Sequence, residues 1–145
     1  MLVTNHVLSG AAIGAVARGP RQAFALGVAS HFALDSVPHW GNWRDRQDFM
    51  HVAVRDGLAG LAVMGALTAA APAGRRLTVL AGMAGAVLPD IDKPSRIWFG
   101  RSPFPRAVDK FHGAIQDEAR DRAHVEAVAA ALLGSVALAF LYKRR

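Results

Sequence analysis

Residues 127–145 read AVAAALLGSVALAFLYKRR, sixteen residues without a formal charge followed at once by Lys143, Arg144 and Arg145. Ala, Leu and Val with an occasional Gly, and no alternation of apolar and polar positions, make a helix rather than a strand. A helix of this length approaches the ~20 apolar residues needed to cross a hydrocarbon core. Four more stretches share the composition and carry no formal charge: residues 1–17, 22–34, 57–74 and 77–89. Residues 57–74 also approach spanning length, and the rest suit tilted or bundle-interior helices. Thr4 or Asn5 is expected to cap the first helix, and Gly19-Pro20 to close it. Pro38 ends the second, because proline removes a donor and biases Val37 away from helix. Pro72 with Gly74 ends the third, and Pro89 the fourth. Gly10 with Gly14, and Gly82 with Gly85, place small residues where two helices can approach closely, in a bilayer or in any bundle.

The composition agrees with a folded helical chain. It has 145 residues, 52% hydrophobic and 19% charged, which suits a single domain over 1–145 and argues against disorder. The absence of cysteine excludes disulfides, thiolate metal sites and a cysteine nucleophile. The first stretch lacks a basic start and carries Thr4, Asn5 and His6, so it is read as part of the domain rather than a secretory signal. The formal charge is +6, from 17 Lys and Arg against 11 Asp and Glu, which points to phosphate-bearing partners.

Threaded up and down, the five helices sort the charges. One rim of the bundle receives Arg18, Arg21, Arg75, Arg76, Lys143, Arg144 and Arg145, and no acid. The opposite rim receives all 11 acids and all six histidines, with the other ten basic residues. A soluble bundle has no evident reason for such segregation, whereas a membrane protein with one basic end and one functional end does. The basic rim is assigned to the cytoplasm.

Polar chemistry gathers on the second rim. His31 and Asp35 are spaced i and i+4 on one helix face, and His39 follows Pro38 directly. Leu88-Pro89-Asp90-Ile91-Asp92 puts two carboxylates just past a helix break. His6 lies at the start of the first helix, His51 and Asp56 near the start of the third, and His112 in the long fourth connection. Imidazole with carboxylate suits Zn²⁺, Mn²⁺ or Fe. Asp35 stands in an otherwise apolar helix, so its charge needs a partner. A cation held with His31, His6 or His39 would supply it, and so would Arg55. The fourth connection also interleaves Lys93, Arg96, Arg101, Arg106 and Lys110 with Trp98, Phe99 and Phe104, a mixture that fits anionic lipid headgroups. Residues 109–122 are expected to form a mixed-charge surface helix. The chain shows no phosphate loop, nucleophile elbow, dinucleotide fingerprint or recognisable nucleic-acid motif.

The Thr4-Asn5-His6 start before the Gly10/Gly14 helix, the His31-x-x-x-Asp35-x-x-Pro38-His39 segment and Pro89-Asp90-Ile91-Asp92 together resemble a known group. This is the DUF457 group of LexA-binding, inner-membrane-associated, metal-dependent hydrolases, with a more distant likeness to the helical fold of zinc-dependent phospholipase C. The resemblance covers residues 1–40 and 76–95. His6, Asp90 and Asp92 match the group's positions. Lys93 stands where the group has His, and His112 and His124 are the nearest counterparts of its later histidine pair.

The expectation is therefore an all-α, multi-pass bundle of about five helices in the cell membrane. Its metal set is His6, His31, Asp35, His39, Asp90 and Asp92, holding a divalent cation, zinc. Asp90 and Asp92 are the catalytic candidates, as ligand or general base. The reaction is hydrolysis of an ester or phosphoester near the bilayer surface. Membrane lipid is the expected partner, with anionic headgroups held by Lys93, Arg96, Arg101 and Arg106, and no nucleic acid. Two alternatives stand beside it: a non-enzymatic membrane protein whose His/Asp cluster is structural, and a soluble helical domain that binds anionic partners.

Overall fold

The computed structural model describes residues 1–143, so Arg144 and Arg145 of the basic rim lie outside the described residues. The chain is mostly helical. The first four apolar stretches form α1 (Val3–Val16), α2 (Pro20–Asp35), α3 (Arg46–Ala70) and α4 (Arg76–Val87). The fourth connection adds α5 (Asp92–Phe99) and α6 (Arg106–Ile115), and the last apolar stretch forms α7 (Ala123–Lys143). The third helix starts well before residue 57 because Asp45 caps it, accepting from the Asp48 amide at 2.8 Å. The expected helix over 109–122 is corrected. It stops at Ile115, and β2 (Glu118–Ala119) instead pairs in parallel with β1 (His39–Trp40), His39 opposite Glu118.

Contacts fix the helix directions. A Cβ on Gly10 would meet Met83 Cα at 2.6 Å, and one on Gly14 would meet Thr78 O at 2.8 Å, so α1 and α4 run antiparallel with their backbones nearly touching. Only glycine permits that approach. The His6 ring stacks on His31, and Ser9 Oγ lies 3.2 Å from Ser30 Oγ, so α2 also runs against α1. Asp56 sits beside Val3 while Arg75 reaches Ala17, and Glu126 sits beside Asn5. Both α3 and α7 therefore run with α1. The five long helices, α1 to α4 and α7, alternate direction in chain order, and α1 sits at the centre. Its Val7, Ala11 and Ala15 pack with Val79, Met83, Leu67 and Ala137.

The two ends of α1 account for part of the charge segregation. The expected Thr4 or Asn5 cap is corrected: both lie inside the helix, Leu2 holds the cap position, and no side chain of the cap residue bonds there. Acids from neighbouring helices do the work. Asp56 of α3 accepts from Val3 N at 2.6 Å, Thr4 N at 3.2 Å and Thr4 Oγ1 at 2.6 Å. Glu126 of α7 accepts from Leu2 N at 3.1 Å and Asn5 Nδ2 at 2.7 Å. At the other end, Arg75 donates to the carbonyls of Gly14, Ala15 and Ala17 at 2.9, 3.0 and 2.6 Å. Helix N-termini carry partial positive charge and orphan amides, and C-termini the reverse. Three of the five long helices start at the acidic rim and end at the basic one, so their dipoles favour the observed distribution.

Among the described residues two helices, α3 and α7, are long and apolar enough to cross a membrane. At 1.5 Å per residue they span roughly 37 and 31 Å. Only 11% of the apolar window of α3 and 17% of that of α7 is buried. Leu58 and Leu61 on α3, and Leu132 and Leu138 on α7, face outward. The core helix of a water-soluble domain would be mostly enclosed by protein.

Candidate metal centre

Four side chains from three places in the chain converge at the acidic rim. His31 and Asp35 come from the last two turns of α2, where the i,i+4 spacing puts His31 Nε2 3.2 Å from Asp35 Oδ2. Asp90 comes from the 3-10 turn Leu88–Ile91, in which Pro89 tightens the exit from α4 and turns the carboxylate inward. His112 comes from α6, docked on α2 by an edge contact of Phe111 with Phe32, ring centres 5.2 Å apart. His112 Nε2 lies 3.0 Å from His31 Nε2 and 3.0 Å from Asp35 Oδ2. Asp90 Oδ1 lies 3.8 Å from both imidazole nitrogens. All four residues are buried, and their donor atoms lie within 4.8 Å of one another.

The chemistry of these donors fits a divalent cation. His31 Nδ1 sits 2.8 Å from the Ala86 carbonyl, which can only accept, so that nitrogen carries the proton. In the neutral ring the Nε2 lone pair then faces His112 and two carboxylates. A backbone carbonyl that fixes the tautomer in this way is the usual second-layer partner of a metal-bound histidine. Ligands 2.0–2.1 Å from a tetrahedral ion are about 3.3 Å apart, and the five edges that join an imidazole nitrogen to another donor run from 3.0 to 3.8 Å here. His6 extends the cluster. Its ring stacks on His31 with centres 4.0 Å apart, and its Nε2 faces Asp35 Oδ1 at 3.1 Å. Both His6 ring nitrogens are buried without a hydrogen-bond partner. Asp35 thus turns one oxygen to His6 and the other to His31 and His112, with Gln116 Nε2 donating to the latter at 3.3 Å.

Ammonium groups approach from the outside. The Met1 amine lies 2.6 Å from Asp35 Oδ1, and Lys93 Nζ lies 2.6 Å from Asp90 Oδ1. Burial raises the pKa of Asp90, but Lys93 and the neighbouring imidazoles outweigh it and hold the carboxyl below its ordinary range. Burial likewise opposes the charge on Lys93, and Asp90 more than restores it.

The remaining sequence candidates are placed elsewhere. His39 is buried, its Nδ1 2.7 Å from the Val37 carbonyl and its Nε2 3.7 Å from Glu118 Oε1. That imidazole, ahead of the opposing effect of burial, lowers the Glu118 pKa. Asp92 lies outside the four-residue cluster. Its Oδ2 faces Arg96 Nε at 3.6 Å, and its Oδ1 is buried without a partner. Arg96 is held chiefly by Asp109, at 2.7 Å. Arg55, the alternative partner for Asp35, is exposed, and among the described residues no ion pair joins the two.

His112 was not in the sequence-derived metal set. It lies in a connection whose path no local pattern dictates. One signal was present: His112 and Gln116, just past the end of α6, have the same four-residue spacing as His31 and Asp35, and both reach Asp35. Lys93, which the sequence offered only as a headgroup cation, proves to be the counter-ion of Asp90.

No protein-family model, no curated protein and no solved structure matches the chain.

Proposed function

We propose that this chain is a multi-pass membrane protein that binds a divalent cation, zinc, through His31, Asp35, Asp90 and His112, and hydrolyses an ester or phosphoester near the bilayer surface. This is the chemistry of the membrane-associated hydrolase group that residues 1–40 and 76–95 resemble. One observation carries the reading: buried His and Asp donors converge, with the His31 tautomer set so that its lone pair points inward. A bound divalent cation lowers the pKa of a coordinated water and polarises a substrate oxygen. The side chains supply the rest. The Ala86 carbonyl orients His31, Gln116 steadies Asp35, and Lys93 keeps Asp90 ionised. Asp92, two residues from Asp90, has one buried carboxylate oxygen without a partner and is the candidate general base. The exposed apolar faces of α3 and α7 support the membrane placement over a water-soluble domain.

A structural role for the cluster is the second reading. The observation behind it is that each carboxylate already has an ammonium at 2.6 Å, the Met1 amine on Asp35 and Lys93 on Asp90. Elemental analysis of detergent-purified protein, prepared without added metal, separates the two. About one zinc per chain, lost in Asp35→Asn, supports the metal reading, and metal-free protein that is fully folded supports the structural one.

A further inference from the structure

Beside the metal centre the fold leaves an apolar groove of about 500 Å³ between α3, the start of α1 and the α4–α5 corner. This volume falls within the roughly 300–1,000 Å³ of ligand pockets. Along α3 the wall is built by Val54, Leu58, Leu61 and Met64. Leu58 and Leu61 are about two-thirds exposed, at 64% and 66%, so protein leaves this wall uncovered. From Val54 to Met64 it runs roughly 15 Å along the helix. All three tryptophans of the chain, Trp40, Trp43 and Trp98, also line it.

Basic residues stand at one end of the groove. A shallow depression adjoins it there, bordered by Arg46, Phe49, Lys93, Arg96 and Ile97, and shares Phe49, Lys93 and Ile97 with the groove. Three basic residues therefore line the place where the apolar wall stops, Lys93 paired with Asp90 and Arg96 with Asp109. Arg46 makes no ion pair among the described residues. The acids on the groove wall are already committed: Asp56 to the first amides of α1, Asp90 to Lys93, and Glu118 to the Asn42 amide.

A long apolar wall ending at a cluster of cations is complementary to one kind of molecule. We propose that the groove binds the hydrocarbon chain of a single-chain lipid whose anionic phosphate head sits at Arg46, Lys93 and Arg96. The site goes beyond the metal reading, because neither chain nor head needs an ion for its contacts. Its head-binding end lies at Lys93, the partner of Asp90, so a lipid held there presents its phosphoester beside the His/Asp cluster.

The three tryptophans give a built-in readout. Full-length protein in detergent micelles, stripped of metal by chelator, is titrated with a lysophosphatidate whose chain carries bromine, a contact quencher of indole. The site predicts saturable quenching at about one lipid per chain. Gly57 lines the groove, and a Cβ there would meet nothing within 4 Å. Gly57→Leu therefore directs its side chain from open space into the groove and should raise the half-quenching concentration several-fold, with the helical circular dichroism unchanged. Arg46→Ala should raise it about tenfold, the usual worth of a charge-assisted contact, and should leave quenching by the matching brominated alcohol unaltered. Quenching that simply follows the bromine content of the micelle and is equal in Gly57→Leu would overturn the groove. Equal binding of alcohol and phosphate in wild-type protein would overturn the headgroup assignment. Displacement of the lipid by inorganic phosphate at matching concentration would mean a free-phosphate site and overturn the lipid. Because the protein is metal-free throughout, none of these outcomes depends on zinc binding.

Discussion

Removing the imidazole of His112 is the most direct test of the metal centre. The side chain supplies one of four converging donors, with Nε2 3.0 Å from both His31 Nε2 and Asp35 Oδ2. Four-ligand zinc sites are worth roughly 10–16 kcal/mol in apparent binding free energy, so one ligand carries about 2.5–4 kcal/mol if shared evenly. At ~1.4 kcal/mol per decade, His112→Ala should weaken zinc binding about 10²- to 10³-fold. The fold should survive, because α6 keeps its Phe111–Phe32 contact, and truncation trades a buried polar ring for a small cavity beside Gln116. The assay is competition with a chromophoric chelator, read alongside zinc content and a thermal melt. His39→Ala is the control, since its Nε2 faces Glu118 outside the cluster, and its zinc affinity should match the parent's. If His112→Ala retains parental zinc affinity, the convergence of these four side chains is not a metal site, and the cluster is a hydrogen-bonded fastening of helix ends.

Other parts of the structure are equally open to test. The chain has no cysteine, so single introduced thiols report topology cleanly: Gly74→Cys at the basic rim and Asp121→Cys at the acidic rim should react with an impermeant maleimide from opposite sides of sealed vesicles, and reaction from one side only would refute the spanning arrangement. Gly10→Val should cost about 1–3 kcal/mol of stability, because its side chain must enter the Gly82–Met83 backbone, whereas Gly65→Ala, with open space around its Cβ, should be neutral or slightly stabilising; equal denaturation midpoints for the two would contradict the close α1–α4 approach. Asp56→Ala removes the acceptor for two α1 amides and the Thr4 hydroxyl and should cost about 1–3 kcal/mol, seen as earlier unfolding and faster amide exchange at Val3 and Thr4.

The helices and their ends were largely legible in the sequence, since uncharged runs of Ala, Leu, Val and Gly bounded by Pro and Gly leave the backbone few alternatives. The pairing of rims was legible too, because the first four helices are joined by connections too short to cross the bundle again, and their alternation places His31, Asp35 and Asp90 at one end. Spacing alone put His31 and Asp35 on a common face. What spacing cannot do is choose partners between segments distant in the chain. Sequence pattern offered Thr4 or Asn5 as the α1 cap, because a cap is normally local. The packed structure uses Asp56 and Glu126, which lie far along the chain yet stand beside the same amides once α3 and α7 run with α1. His39 and Asp92 carried metal-binding side chains in suggestive places, but β1 turns the first toward Glu118 and the first turn of α5 turns the second toward Arg96.

His112 shows the division most sharply. Its sequence neighbourhood is a basic and aromatic connection with no metal-ligand pattern, and it becomes a ligand candidate only because α6 folds back across the end of α2. The sequence by itself determined that apolar helices would form and that imidazoles and carboxylates would share a rim, because both follow from local backbone preference and from the parity of chain reversals. Which of those groups meet within a few ångströms was decided by tertiary structure alone, because that depends on where a long connection comes to rest, and burial against α2, not any local rule, selects its resting place.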